Sequence, residues 1–142
     1  VRLMASVKSA PVKFAIGLAF LAASFLLMVP AARLAAEGKV SPWWLVGLFL
    51  LQTIGELCVS PVGLSIMTRI APAGWSAFML GIWFLASAWG NKLAGVLGAE
   101  FTADKPDALA WFFLKQAMLV GLALALLLAL VPWVRRLMAG VR

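Results

Sequence analysis

The chain contains four long runs of mostly apolar residues, separated by three short polar or proline- and glycine-containing connections. A helix needs about 20 apolar residues, rising about 1.5 Å per residue, to cross the hydrocarbon core of a bilayer. Each run is long enough, so we predict transmembrane helices at residues 12–36, 42–67, 78–101 and 110–134. Because connections this short make consecutive helices antiparallel, the predicted fold is an all-α, polytopic membrane bundle of about four helices.

The composition places this bundle in a membrane and excludes several other classes. Of 142 residues, 65% are hydrophobic and 12% charged, with a mean hydropathy of +1.06. A soluble domain is about half apolar and about a quarter charged. The net charge of +7 does not indicate nucleic acid as a partner, because the basic residues lie at the ends of apolar runs and form no stripe. One cysteine and no histidine exclude a disulfide framework and a Cys/His metal site.

The basic residues predict the orientation of the bundle. Four crossings place both termini on one side, and the side richer in Lys and Arg is the cytoplasmic one. The termini and the middle connection carry seven basic residues: Arg2, Lys8, Lys13, Arg69, Arg135, Arg136 and Arg142. The opposite side carries three: Arg33, Lys39 and Lys105. Both ends are therefore predicted to be cytoplasmic.

Glu56 lies deep within the second apolar run, close to the predicted bilayer midplane. A charge at this depth costs on the order of 2.5–3.5 kcal/mol even on lenient insertion scales. Glu56 must therefore stay protonated, pair with a cation or face a water-filled cavity, and each state suits a group that binds a proton or an amine. The structural alternative is a neutral Glu56 that makes only a helix–helix hydrogen bond.

Several residues around Glu56 are candidates for gating or for lining a cavity. At 100° per residue, Gln52, Glu56, Ser60 and Gly63 fall within a narrow arc of one helix face. Pro61 removes one backbone hydrogen bond, so the helix is able to bend beside the carboxylate. Such a bend suits a gating helix, and a static packing kink is the alternative.

The third predicted helix carries further candidates. Trp83 and Ser87 share one face, and Trp83 lies away from the helix ends where interfacial tryptophans concentrate. Trp83 therefore either lines a pocket or packs in a core. Asn91 lies near mid-span and is a further cavity-lining candidate. Its neighbour Lys92 points away from the Trp83 face, where it can snorkel or pair, and Lys115 is expected to snorkel to the outer interface.

Residues 55–65, G-E-L-C-V-S-P-V-G-L-S, closely resemble the tenth-helix signature G-E-L-x-x-S-P-x-G-L-S of the proton-dependent oligopeptide transporter (POT) family of the major facilitator superfamily. The signature is long and specific, and the resemblance covers essentially the whole chain. It continues in residues 11–15, 70–72, 81–85, 90–91 and 93–95, which resemble parts of the ninth to eleventh helices.

The resemblance implies that residues 1–142 are a C-terminal fragment, helices nine to twelve, of a bacterial inner-membrane symporter of protons with di- and tripeptides. In the family, the carboxylate corresponding to Glu56 faces the amino terminus of the peptide and can switch to a salt bridge with the seventh helix. The residues corresponding to Trp83 and Ser87 line the same cavity. The implied partners are small peptides, protons, the lipid bilayer and the missing N-terminal helices. No cofactor is implied, since the proton is the coupling ion.

The chain lacks the family's first-helix E-x-x-E-R motif and the basic residues that hold the peptide carboxylate. The fragment alone is therefore expected to be inactive. Two interpretations from other classes stay open: a self-contained four-helix proton–drug antiporter and a non-transporting membrane scaffold. The position of Glu56 on the second helix and the long signature argue against the first, and the energetic cost of Glu56 argues against the second.

Overall fold

The computed structural model describes residues 10–35, 37–101 and 105–138, and these residues form four α-helices. The helices are α1 (Ala10–Leu34), α2 (Trp43–Ile70), α3 (Ser76–Gly98) and α4 (Pro106–Met138). The all-α architecture predicted from the sequence is confirmed. Of the residues used to predict orientation, Arg2, Lys8 and Arg142 lie outside the described residues.

Three of the helices are long and apolar enough to cross a membrane. The qualifying segments are Pro11–Leu34, Trp43–Thr68 and Asp107–Trp133. α3 is not among them, although its 23 residues give a length of about 35 Å. Asn91 and Lys92 interrupt its apolar sequence. That α3 also crosses the membrane stays a prediction.

All four helices differ from their predicted bounds by a few residues, and two of these boundaries have identifiable local reasons. α2 continues three residues beyond its predicted end at residue 67, to Ile70. It ends there because Ala71, which precedes Pro72, adopts an extended conformation with φ −66° and ψ 131°. α4 begins four residues before residue 110, at Pro106. A proline suits the first position of a helix because it has no N–H to leave unpaired, and the acidic Asp107 in the first turn favours the same start.

The helices pack around α1. Its interfaces with α2 and α4 are more extensive than the contact between α2 and α3. A cluster of buried residues joins the end of α1 to the starts of α2 and α4: Met28, Ala31, Ala32, Leu48, Ala110 and Phe113. None of the described residues of α3 is buried. α3 is therefore packed less extensively than the other helices, and Trp83 contacts Gly63 of α2 and Phe14 of α1.

Candidate functional site

Glu56 lies on α2 with its side chain exposed on the surface of the four-helix unit. Within the part of the chain that the structure describes, it has no hydrogen-bond or ion-pair partner. The helix–helix hydrogen bond considered as its structural alternative is not made by the described residues. An acidic side chain on a membrane-crossing helix thus projects away from its own bundle, where it is open to a ligand.

The backbone that carries Glu56 is fixed by a close crossing of α1 and α2. A Cβ atom on Gly55 would lie 2.9 Å from the carbonyl oxygen of Gly17, and one on Gly17 would lie 2.8 Å from the carbonyl oxygen of Gly55. Because these oxygens belong to helix backbones, neither can move aside, and only glycine permits this approach. The helical turn that presents Glu56 is therefore held in backbone contact with α1.

The other candidates on α2 share this region but differ in exposure. Gln52 and Ser60 are half-buried, Gly63 is buried and Pro61 is exposed. α2 stays helical through Pro61 and continues to Ile70. The helix face predicted from the sequence is therefore packed at Gly63 and exposed at Glu56.

Trp83 brings α3 into contact with both α1 and α2. A Cβ atom on Gly63 would lie 2.7 Å from Cζ2 of Trp83, and closer still to Cη2 and Cζ3. The ring of Phe14 on α1 packs edge-on against the indole, with centroids 6.4 Å apart and planes at 81°. The indole is half-buried in this arrangement. Part of the ring is thus packed and part is accessible, and that Trp83 lines a pocket stays a prediction.

Ser87 and Asn91 are exposed on α3. The Ser87 hydroxyl donates a hydrogen bond of 3.1 Å to the carbonyl oxygen of Trp83, one turn earlier. Its oxygen is then left to accept a hydrogen bond from a ligand. Lys92, which the sequence predicts to snorkel or pair, has its Nζ 5.3 Å from the centroid of the Trp89 ring, a cation–π contact within α3.

An apolar cleft of about 280 Å³ lies in another part of the molecule. It is formed by the end of α1, the start of α2 and the start of α4, and it includes Met28, Trp44 and Phe113. None of the predicted site residues lines it. The candidate site is instead an open surface of α2 and α3.

Three residues that shape this surface have no role assigned from the sequence: Phe14, Gly17 and Gly55. Their roles depend on which residues of different helices meet, and helical periodicity within one helix does not contain that information. The fold and the site define a class: a polytopic membrane protein with a carboxylate that has no partner among the described residues, on a membrane-crossing helix whose same face packs, two turns further on, against an aromatic side chain of the following helix.

Comparison with known proteins narrows the class to a family. The sequence model of the POT family matches residues 2–112. The chain is 43% identical over 129 residues to the peptide transporter YePEPT of Yersinia enterocolitica subsp. palearctica, covering 89% of this chain and 25% of the relative. It is 34% identical over 133 residues to the di-/tripeptide transporter of Lactococcus lactis subsp. cremoris, covering 92% and 26%. An uncharacterized transporter of Bacillus subtilis, YclF, is 42% identical over 134 residues, covering 94% and 26%.

The chain therefore belongs to the POT family, as the signature at residues 55–65 indicates, and it is an integral membrane protein. It spans about a quarter of the length of these curated relatives.

Proposed function

We propose that these four helices are the ninth to twelfth helices of a transporter that carries di- and tripeptides together with protons. The observation that carries the proposal is Glu56, an exposed carboxylate without a partner among the described residues, on a helix apolar enough to cross a membrane. Relatives named as peptide and di-/tripeptide transporters support peptides as the substrate class.

In this proposal, Glu56 binds the amino terminus of the peptide. An ionised carboxylate attracts an ammonium strongly in a cavity of low dielectric constant, and protonation of the carboxylate removes that attraction. Trp83 and Ser87 form the adjacent wall, and the Ser87 oxygen is free to accept a hydrogen bond from a peptide N–H. The proton acts as the coupling ion, and the chemistry calls for no other cofactor.

The rest of the site is assigned to helices outside this chain. An E-x-x-E-R segment and basic residues for the peptide carboxylate would come from the N-terminal helices, and a basic residue there would compete with the peptide for Glu56. The absence of buried residues among those described in α3 supports such a partner, because α3 leaves its surface open to further helices. Alternating access would then be a rocking of this bundle against the N-terminal one around a midplane site.

We further propose a bacterial inner membrane as the location, with both ends of this segment in the cytoplasm. The bacterial relatives support the first point, and the seven-to-three distribution of basic residues supports the second.

The test is Glu56→Gln in the transporter that contains these helices, purified and reconstituted into liposomes. Uptake of a labelled dipeptide driven by an inward proton gradient should fall at least about 100-fold, since a neutral amide neither pairs with an ammonium nor exchanges the coupling proton. The matched control is Glu37→Gln, the same change at an exposed residue of the α1–α2 connection, which should leave uptake unchanged. Undiminished uptake by the Glu56→Gln protein would disprove the assigned role of Glu56. Absence of uptake by the unmodified transporter would disprove the proposed function.

A further inference from the structure

Trp83 lies directly on the backbone of α2. The three atoms that a Cβ on Gly63 would approach within 3 Å, Cζ2, Cη2 and Cζ3, all belong to the six-membered part of the indole. The ring therefore occupies the space that any other residue at position 63 would fill. Gly63 is accordingly buried, although the neighbouring Pro61 is exposed.

The indole makes a second contact, with Phe14 of α1. Phe14 packs edge-on against Trp83, so a movement of the ring also changes that contact. Trp83 thus contacts the backbone of α2 and an aromatic ring of α1. Since none of the described residues of α3 is buried, the Trp83 contact is one of the few packed contacts that help to fix where α3 lies relative to α2.

The contact also has a defined distance from Glu56. Gly63 and Glu56 are seven residues apart, so they lie on nearly the same face of α2 and about 10 Å apart along its axis. An extended peptide covers about 3.3–3.6 Å per residue. A peptide whose ammonium lies on Glu56 and whose chain follows α2 would therefore meet the indole at its second or third residue.

We infer that Gly63 is a positioning residue: by letting the Trp83 indole lie on the α2 backbone, it sets the width of the peptide site beside Glu56. The inference rests on the proposed function and extends it to a residue that touches no peptide itself. Any side chain at position 63 displaces the indole from α2 and changes its contact with Phe14, and the displaced ring encroaches on the space that a peptide needs.

The experiment compares four variants of the full transporter: Gly63→Ala, Trp83→Phe, the double variant, and Gly81→Ala as control. Gly81 lies in α3, and a Cβ there meets nothing within 4 Å. Phenylalanine lacks the outer indole atoms that a Cβ on residue 63 would strike, so the double variant removes the clash. Two quantities are measured: dipeptide uptake kinetics, and the 19F NMR signal of Trp83 in 5-fluorotryptophan-labelled protein, assigned by its loss in Trp83→Phe.

We expect Gly63→Ala to raise KM at least about fivefold with kcat within about twofold, because a displaced wall weakens ground-state binding. Its Trp83 resonance should shift, while Gly81→Ala leaves both KM and that resonance unchanged. The double variant should return to the KM of Trp83→Phe alone. If Gly63→Ala fails to fold, the inference is supported when the double variant folds and has the KM of Trp83→Phe alone.

Three results would overturn the inference: an unchanged KM in Gly63→Ala, an unshifted Trp83 resonance, or a double variant in which the two KM effects multiply. A shifted resonance in a transporter whose unmodified form takes up no peptide would establish the contact and disprove the peptide assignment. The NMR signal and the uptake assay therefore separate failure of this inference from failure of the proposed function.

Discussion

The ammonium of Lys115 on α4 lies 2.8 Å from Oε2 of Glu100, in the segment that follows α3. The sequence predicts Lys115 to snorkel to the outer interface, and the structure adds the acceptor that it reaches. This ion pair ties the end of α3 to the first turns of α4. It thereby provides α3 with a second attachment, at the end of the helix away from the α2–α3 connection.

The Lys115–Glu100 pair should contribute modestly to stability. The two side chains are 47% and 57% exposed, and exposed pairs of this kind contribute about 0.2–1 kcal/mol, less at high salt. A double-mutant cycle with Lys115→Met and Glu100→Gln, measured by unfolding in detergent, should give a coupling in that range that shrinks in 1 M salt. A coupling insensitive to salt would contradict an exposed pair.

The glycine crossing of α1 and α2 should be intolerant of a single methyl group. Gly55→Ala forces two helix backbones apart and should lower the free energy of unfolding by about 1–3 kcal/mol. Gly47→Ala is a matched control in the same helix, since its Cβ would meet only the flexible end of Leu27, at 2.9 Å. Thermal unfolding of both variants in detergent measures the difference. Equal stability of the two variants would show that the backbones are not in contact at Gly55.

Pro61 should reduce stability and assist turnover. Pro61→Ala restores a backbone donor to the carbonyl of Leu57 inside α2, and the penalty removed is up to about 3 kcal/mol. If α2 bends there during transport, the variant should be more stable but should turn over more slowly in the proteoliposome assay. Pro30→Ala, at the proline inside α1, is the control and should leave turnover unchanged. A static kink, the alternative stated for Pro61, predicts unchanged turnover in both variants.

The proposed orientation is testable at two exposed positions in the connections. Glu37→Cys lies between α1 and α2, and Ala73→Cys lies between α2 and α3. Each is introduced with Cys58, the half-buried native thiol, replaced by alanine. A membrane-impermeant maleimide should label the cysteine at position 37 in intact cells. It should label the cysteine at position 73 only after the cells are permeabilised. The reverse pattern would invert the assigned topology.

Much of the fold and part of the candidate site could be predicted from the sequence. Apolar run lengths depend on neighbouring residues, so the helices could be predicted to within a few positions, although the end of α2 before Pro72 and the start of α4 at Pro106 were not predicted. Glu56 could be singled out because a carboxylate in an apolar run is costly wherever its neighbours lie. The contacts of Gly55 with Gly17 and of Gly63 with Trp83 could not be predicted from the sequence. Each joins residues of different helices and depends on how those helices cross.

The Gly17–Gly55 crossing also bears on how the protein is built. It joins two helices that are consecutive in the chain, so the pair can associate as a hairpin as soon as α2 leaves the ribosome. The α1–α4 interface, by contrast, must wait until the whole segment has been inserted. The turn that carries Glu56 is therefore expected to acquire its final geometry early in biogenesis, before the helix that carries Trp83 is delivered to the bilayer.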